Sequence, residues 1–189
     1  MIKPLFKFLK KTLIILLVLG LIIYTFKGEL YRKTVKYKEI NQRSLIKIDN
    51  KTIKDDLDFW LSTYNYATVE QIVDFAHDYS TEDISYTFGK CSTNPNNVID
   101  SKSTNCVGYS ALFHCVASYL LEKRRFSESV KSEHKVGQLY FLGFNLHQLF
   151  KDPAFKDHDY NVVTDNSTHK KYVIDPTVSA NLGIKKVCE

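Results

Sequence analysis

One cysteine stands where a long apolar helix is predicted to begin. A polar stretch over 91–105 ends just before Cys106, and apolar residues with helical spacing continue to Lys123. Thr104 or Asn105 can cap this helix. First-turn N–H groups lack intrahelical partners and the helix dipole favours negative charge, so a thiol there is favoured in its reactive thiolate form. Cys106 is therefore a candidate nucleophile, although many free cysteines are simply buried.

A histidine and an aspartate end up near each other in the predicted strand pattern. His158 opens the stretch HDYNVV, and Asp175 ends the strand of the stretch YVIDPT. A thiol nucleophile needs a base that takes its proton and then protonates the leaving amine, and a carboxylate can orient that base. Taken singly, His158 fits an ordinary surface histidine and Asp175 an Asp-Pro turn. Together with Cys106 they form a candidate nucleophile, base and orienting acid.

The remaining cysteines and histidines are assigned no role in this chemistry. Cys115, within the apolar face of the same helix, is predicted to be a buried structural residue. Disulfides among Cys91, Cys115 and Cys188 are permitted outside the cytoplasm. Most of the other histidines are predicted to be solvated surface groups: His77, His114, His134, His147 and His169.

Helices precede strands along the chain, which predicts an α+β domain. Thr68 and Gln71 form a capping box for a helix over 68–78. The other predicted elements are a helix over 52–62, a short extended stretch over 84–88, the helix over 106–123 and strands over 136–144, 160–164 and 171–174. Residues 165–169 make a hairpin turn between the last two strands, which form part of an antiparallel sheet.

The amino-terminal segment is predicted to be a membrane anchor. Thr12 to Phe26 reads TLIILLVLGLIIYTF without a charge, and lysines precede it, which favours a cytoplasmic amino terminus. A cleaved signal peptide is the main alternative, and a buried core helix is a third. In both main interpretations the body of the protein lies outside the cytoplasm.

The composition excludes several other classes of protein. With 44% hydrophobic and 25% charged residues the chain is an ordinary globular protein. Its net charge of +5 is concentrated in part at the amino terminus, so no basic surface for nucleic acid is predicted. No metal-binding motif occurs, and no metal or cofactor is expected.

The three motifs, in this order, resemble those of the transglutaminase-like superfamily of cysteine enzymes. NCVGYS is similar to the family's nucleophile stretch, HDYNVV to its His-x-Trp-Asn-x-Val strand and YVIDPT to its aromatic-x-x-Asp-Pro-Thr strand. The resemblance covers about 68–178. It implies a papain-like core in which a buried nucleophile helix packs on an antiparallel sheet. The expected organisation is an anchor over 1–27, a tether over 28–50 and a transglutaminase-like domain over 51–189.

The resemblance also implies the roles of the site residues. Cys106 would attack an amide carbonyl of a protein or peptide, His158 would act as general base and acid, and Asp175 would orient His158. The resulting thioester would be resolved by water or an amine, and nothing suggests a calcium site, which favours a protease or amidase. The oxyanion hole would include the Cys106 N–H, with Tyr86 or an upstream aromatic as the second donor.

Two questions stay open at this level. Tyr160 replaces the family's usual Trp, which puts the shape of the substrate site in doubt. The alternative function is a catalytically inactive, membrane-tethered binding or scaffold module with the same fold.

Overall fold

The computed structural model describes residues 2–64, 68–152 and 155–188, and its mixture of helices with an antiparallel sheet confirms the α+β class. The helices are α1 (Ile2–Thr25), α2 (Lys27–Thr34), α3 (Lys51–Thr63), α4 (Val69–Thr81), α5 (Pro95–Ser101), α6 (Cys106–Lys123) and α7 (Pro176–Leu182). The strands are β1 (Val35–Arg43), β2 (Ser85–Tyr86), β3 (Ser103–Thr104), β4 (Val130–Phe141), β5 (Phe144–Asn145), β6 (His158–Asp165), β7 (Lys170–Ile174) and β8 (Lys186–Cys188). A short 3₁₀ turn covers Leu146–Leu149.

The main sheet runs in the order β1-β4-β6-β7-β8, with neighbouring strands antiparallel and β5 paired to β4. Strands β6 and β7 form the predicted hairpin, in register from Asn161 opposite Ile174 to Asp165 opposite Lys170. The short strands β2 and β3 pair in parallel, apart from the main sheet. The hairpin places the start of β6 and the end of β7 at the same end of the sheet.

Helix α6 is the centre of the core, as its broad apolar pattern predicts. Leu112, Phe113 and Val116 are completely buried. They share a core cluster with Ile72 of α4 and Val163 of β6, so the helix lies between the amino-terminal helices and the sheet. Burial on every side explains why α6 is apolar all round rather than amphipathic.

The predicted helices over 52–62, 68–78 and 106–123 are confirmed as α3, α4 and α6. Thr68 and Gln71 make the predicted capping box, and Asn105 caps α6. The polar stretch over 91–105 is more structured than predicted. It contains α5, which Asn94 caps ahead of Pro95 at the first helical position, and β3.

Most of the segment predicted to be a tether over 28–50 has regular structure, because α2 and β1 together cover 27–43. Val35–Arg43 is the edge strand β1, paired with β4 from Val35 opposite Phe141 to Arg43 opposite His134. In this edge strand only Val35 is buried and Tyr37 half-buried, while Lys36 and every residue from Lys38 to Arg43 are exposed. That pattern, dominated by charge, resembles a solvated linker in the sequence.

The amino-terminal apolar segment continues into α2 through a sharp bend. Among the described residues, no helix taken alone has the length and apolar character needed to cross a membrane. Leu9–Thr25 and Lys27–Thr34, bent by 73° at the break between them, meet that length and composition together.

Candidate active site

Cys106 is the first residue of α6 and is partly exposed. The Asn105 side chain caps the helix by accepting hydrogen bonds from the N–H groups of Val107 (3.1 Å) and Gly108 (3.3 Å). The side-chain cap therefore serves the second and third N–H groups of the helix, and not that of Cys106. The thiol lies in the first turn, where the helix dipole favours a negative charge.

The loop ahead of Cys106 packs closely against the first turn of α6, at Gly108. Thr104 is fully buried, and its Oγ1 donates a 2.8 Å hydrogen bond to the Ser92 carbonyl. Gly108 faces this contact so closely that a Cβ on it would lie 1.8 Å from Thr104 Oγ1. Only a residue without a side chain allows the loop to approach this turn of the helix.

Tyr86, which the resemblance suggests as an oxyanion donor, lies beside Cys106. It pairs with Thr104 across the parallel strands β2 and β3, two residues before Cys106. Burial, followed by the negative charge of Cys106, raises the pKa of Tyr86 above its usual 10. Its hydroxyl is therefore a protonated donor at neutral pH.

His158 and Asp175 meet at one end of the β6–β7 hairpin. The His158 Nε2 lies 2.6 Å from the Asp175 Oδ2. Asp175 is completely buried and also caps α7, because its Oδ1 accepts from the Val178 N–H at 3.0 Å. The capping contact fixes the carboxylate, and the carboxylate fixes the ring.

His158 is also coupled to the Cys106 thiol. Burial by itself lowers the pKa of His158, but the Asp175 carboxylate and a hydrogen-bonding interaction with Cys106 outweigh it and hold that pKa well above 6.5. Because Nε2 is engaged with Asp175, Nδ1 is the ring nitrogen left for the thiol. The three residues predicted from the sequence thus lie together, in the order thiol, imidazole and carboxylate.

Two tyrosines extend this arrangement, and sequence analysis missed both. The Tyr37 hydroxyl of β1 donates to the Asp175 Oδ2 at 2.7 Å. Tyr31 of α2 lies behind it, with 2.8 Å between the two hydroxyl oxygens. Both tyrosines fall in the segment predicted to be a tether. Their spacing carries no signal, because Tyr37 and Asp175 are 138 residues apart.

A second buried charge lies next to the site. Asp159, which follows His158, is completely buried and binds Arg43 through both carboxylate oxygens, at 2.9 and 3.2 Å from Nε. His134 Nε2 is 3.5 Å from the same carboxylate. The negative charge of Asp159 and, more weakly, of Cys106 contributes to raising the pKa of Arg43. Arg43 is a second functional candidate that the sequence did not indicate.

The prediction that the other histidines are mostly solvated is wrong. His77, His114, His134 and His147 are buried, and only His169 of the five is exposed. Three of these buried rings have a hydrogen-bonding partner that offsets the cost of burial. His77 contacts Asp78, His114 contacts the Ser132 carbonyl and His147 contacts the Phe155 carbonyl.

Cys115 is buried, as predicted, and its environment contrasts with that of Cys106. Burial raises the pKa of the Cys115 thiol to about 12. All four cysteines are unpaired, so neither Cys106 nor the others form a disulfide. Across the described ranges, no group of three or more His, Cys, Asp or Glu side chains is arranged to hold a metal ion.

The sequence matches no protein-family model and has no significant match among curated proteins. The site geometry therefore carries the functional argument.

Proposed function

We propose that the protein catalyses thiol-dependent acyl transfer or hydrolysis at amide bonds of a protein or peptide substrate. The observation that carries the proposal is the 2.6 Å contact between His158 and the buried Asp175 carboxylate, together with the effect on His158 of a thiol at a helix amino terminus. A structural cysteine would need neither partner. This set supplies a nucleophile, a proton carrier and an orienting charge.

The reaction follows from these positions. The Cys106 thiol gives its proton to His158 and its Sγ attacks the amide carbonyl carbon, so that the carbonyl oxygen becomes an oxyanion facing the amino terminus of α6. The N–H of Cys106 and the Tyr86 hydroxyl are the donors that would stabilise it. His158 gives its proton to the amide nitrogen as the C–N bond breaks, which releases an amine and leaves a thioester. Water or a second amine, deprotonated by His158, then attacks the thioester and restores the thiol.

The transglutaminase-like core and the membrane location belong to the same proposal. The three motifs and the helix-on-sheet arrangement support a transglutaminase-like enzyme, with hydrolysis favoured over cross-linking. We propose that Leu9–Thr25 is a membrane anchor, with the amino terminus in the cytoplasm and the domain that follows the anchor outside it. The uncharged run from Thr12 to Phe26 and the lysines before it support this location.

The experiment that tests the chemistry is the alkylation of Cys106 by iodoacetamide between pH 5 and 9, in the full-length protein in detergent. Mass spectrometry reports each cysteine separately. An unassisted thiol is about 0.3% ionised at pH 6, so a thiolate paired with His158 should react far faster at that pH. We expect Cys106 to be labelled fastest and His158→Ala to slow its labelling at pH 6 by about tenfold or more.

His169→Ala is the matched control, because it removes an exposed histidine in the turn between β6 and β7. It should leave the rate unchanged. If Cys106 reacts at the same slow rate in wild type and in His158→Ala, the thiol enzyme is refuted and the chain is a binding module. A positive result leads to assays on peptide amides with Cys106→Ala as the inactive reference.

A further inference from the structure

A chain of hydroxyl groups runs from α2 to the orienting carboxylate. A phenol has one proton, and the Tyr37 hydroxyl gives its proton to the Asp175 Oδ2, which can only accept while ionised. Tyr31 must therefore donate to the Tyr37 oxygen across their 2.8 Å separation. Tyr31 therefore donates to Tyr37, and Tyr37 donates to Asp175, so both hydrogen bonds point toward the carboxylate.

We infer that Tyr37 is a positioning residue of the active site, acting on His158 through Asp175. The inference rests on the proposed function, since it assigns a role within the same thiol chemistry. It makes α2 and β1 part of the catalytic unit, instead of a connection that leads to it.

The carboxylate of Asp175 has three donors, each from a different element. Val178 of α7 binds Oδ1 at 3.0 Å, while Tyr37 of β1 and His158 of β6 share Oδ2 at 2.7 and 2.6 Å. Removal of the Tyr37 donor leaves Oδ2 with the imidazole alone. A hydrogen bond to a charged group is stronger than one between neutral groups, so the buried carboxylate and the imidazole it binds are held less firmly without Tyr37.

The tyrosine rings are held in place by their neighbours. Tyr37 lies 4.8 Å from the ring of Tyr160 and 6.4 Å from the ring of His158, measured between centroids. Burial, and then the Asp175 charge, raise the pKa of Tyr37 well above 10, so it stays a protonated donor throughout the neutral range. The titratable groups that interact with this carboxylate are Tyr31, Tyr37, Tyr86, His158 and Cys188, and Cys106 in turn interacts with His158.

The test is the pH dependence of Cys106 alkylation in Tyr37→Phe, with iodoacetamide and the full-length protein. This change removes one hydroxyl and keeps the ring. Without the Tyr37 hydrogen bond the Asp175 carboxylate is held less firmly, so it supports the imidazolium, and through it the thiolate, less well. We expect alkylation at pH 6 to be about tenfold slower than in wild type and its acid limb to move to higher pH. Tyr31→Phe, one bond further away, should slow it by about threefold or less.

Tyr119→Phe is the matched control. Tyr119 also donates a 2.7 Å hydrogen bond to a carboxylate, that of Asp58, at the far end of α6. Its loss should leave the pH profile of Cys106 alkylation unchanged. If losing any such hydrogen bond slowed alkylation through general destabilisation, Tyr37→Phe and Tyr119→Phe would both be slowed. A positioning role slows alkylation only in Tyr37→Phe.

A double-mutant cycle separates this inference from the proposed function. If Tyr37 acts through His158, Tyr37→Phe should cause no further loss of rate in a His158→Ala background. A wild-type profile in Tyr37→Phe, or rate losses that add in the double mutant, would overturn the inference while the effect of His158→Ala stands. If His158→Ala itself has no effect, the proposed function fails and this inference fails with it.

Discussion

The close contact at Gly108 predicts the effect of a single methyl group on the nucleophile. In Gly108→Ala the new Cβ would lie 1.8 Å from Thr104 Oγ1, 2.9 Å from Thr104 Cβ and 3.1 Å from the Ser92 carbonyl oxygen. Real Cβ atoms do not approach closer than 3.0 Å, so the shortest gap must widen by at least 1.2 Å. Thr104 is fully buried and cannot turn away, so the loop and the start of α6 must separate.

The change in the free energy of unfolding follows from one stabilising and two destabilising contributions. Alanine stabilises a helix by about 1 kcal/mol relative to glycine. Overpacking of a filled interior costs about 1–3 kcal/mol. Separation of Thr104 from the Ser92 carbonyl removes a hydrogen bond of about 1 kcal/mol. The net expectation is a loss of about 1–3 kcal/mol, opposite in sign to the helix preference alone.

The assay measures stability and thiol chemistry in the same samples. Urea unfolding followed by circular dichroism should show the loss, and a shift of about 1 Å in Cys106 should slow its alkylation about tenfold. Gly28→Ala is the control, because its Cβ would meet only an ordinary 3.4 Å contact with Arg32 Nη1. Equal stability and equal alkylation in Gly108→Ala and wild type would refute the argument that glycine is required there.

Three further predictions concern the buried charges and the amino-terminal segment. Burial, and then His134, lower the pKa of His114 from 6.5 to about 4, so its neutral form stabilises the fold above pH 6.5 and this contribution is lost as pH falls to 4. Urea unfolding should show wild type losing up to about 3 kcal/mol more than His114→Gln over that range, and parallel curves would contradict this. Arg43→Ala leaves the buried Asp159 carboxylate with His134 as its neighbour and should lower the free energy of unfolding by about 2–3 kcal/mol. Lys51→Ala, which removes an exposed ion pair with Asp55, should change it by less than about 1 kcal/mol. Equal losses in the two variants would show that burial of the ion pair does not matter. A chain beginning at Lys27 should leave the membrane fraction and keep rapid Cys106 alkylation. A chain beginning at Lys51 lacks β1 and should lose rapid alkylation. Rapid alkylation in this shorter chain would show that residues 28–50 serve only as a tether.

Local signals made the central elements of this protein predictable. The polar cap at Asn105 and the continuous apolar sequence after it define α6, and the capping box defines the start of α4. The turn over 165–169 joins two neighbouring strands, so the proximity of His158 and Asp175 follows from short-range pairing. These features depend on residues close together in sequence.

The features that could not be predicted depend on distant partners. Strand β1 pairs with β4, about a hundred residues later, and its solvent face makes its composition resemble that of a linker. The contact between Tyr37 and Asp175 depends on that pairing. The buried histidines were missed for a related reason, since a histidine in sequence gives no sign of the carbonyl or carboxylate that will satisfy it.

The edge strand β1 also fixes how far the site can lie from the proposed anchor. A flexible tether over the 23 residues from 28 to 50 would let the domain range roughly 25–30 Å from its attachment point. The 8-residue helix α2 instead spans about 12 Å and leads directly into the sheet. With Leu9–Thr25 in the bilayer as proposed, the candidate active site would be held at a set height and orientation. An enzyme anchored in this way would select its substrates by their distance from the lipid surface as well as by their sequence.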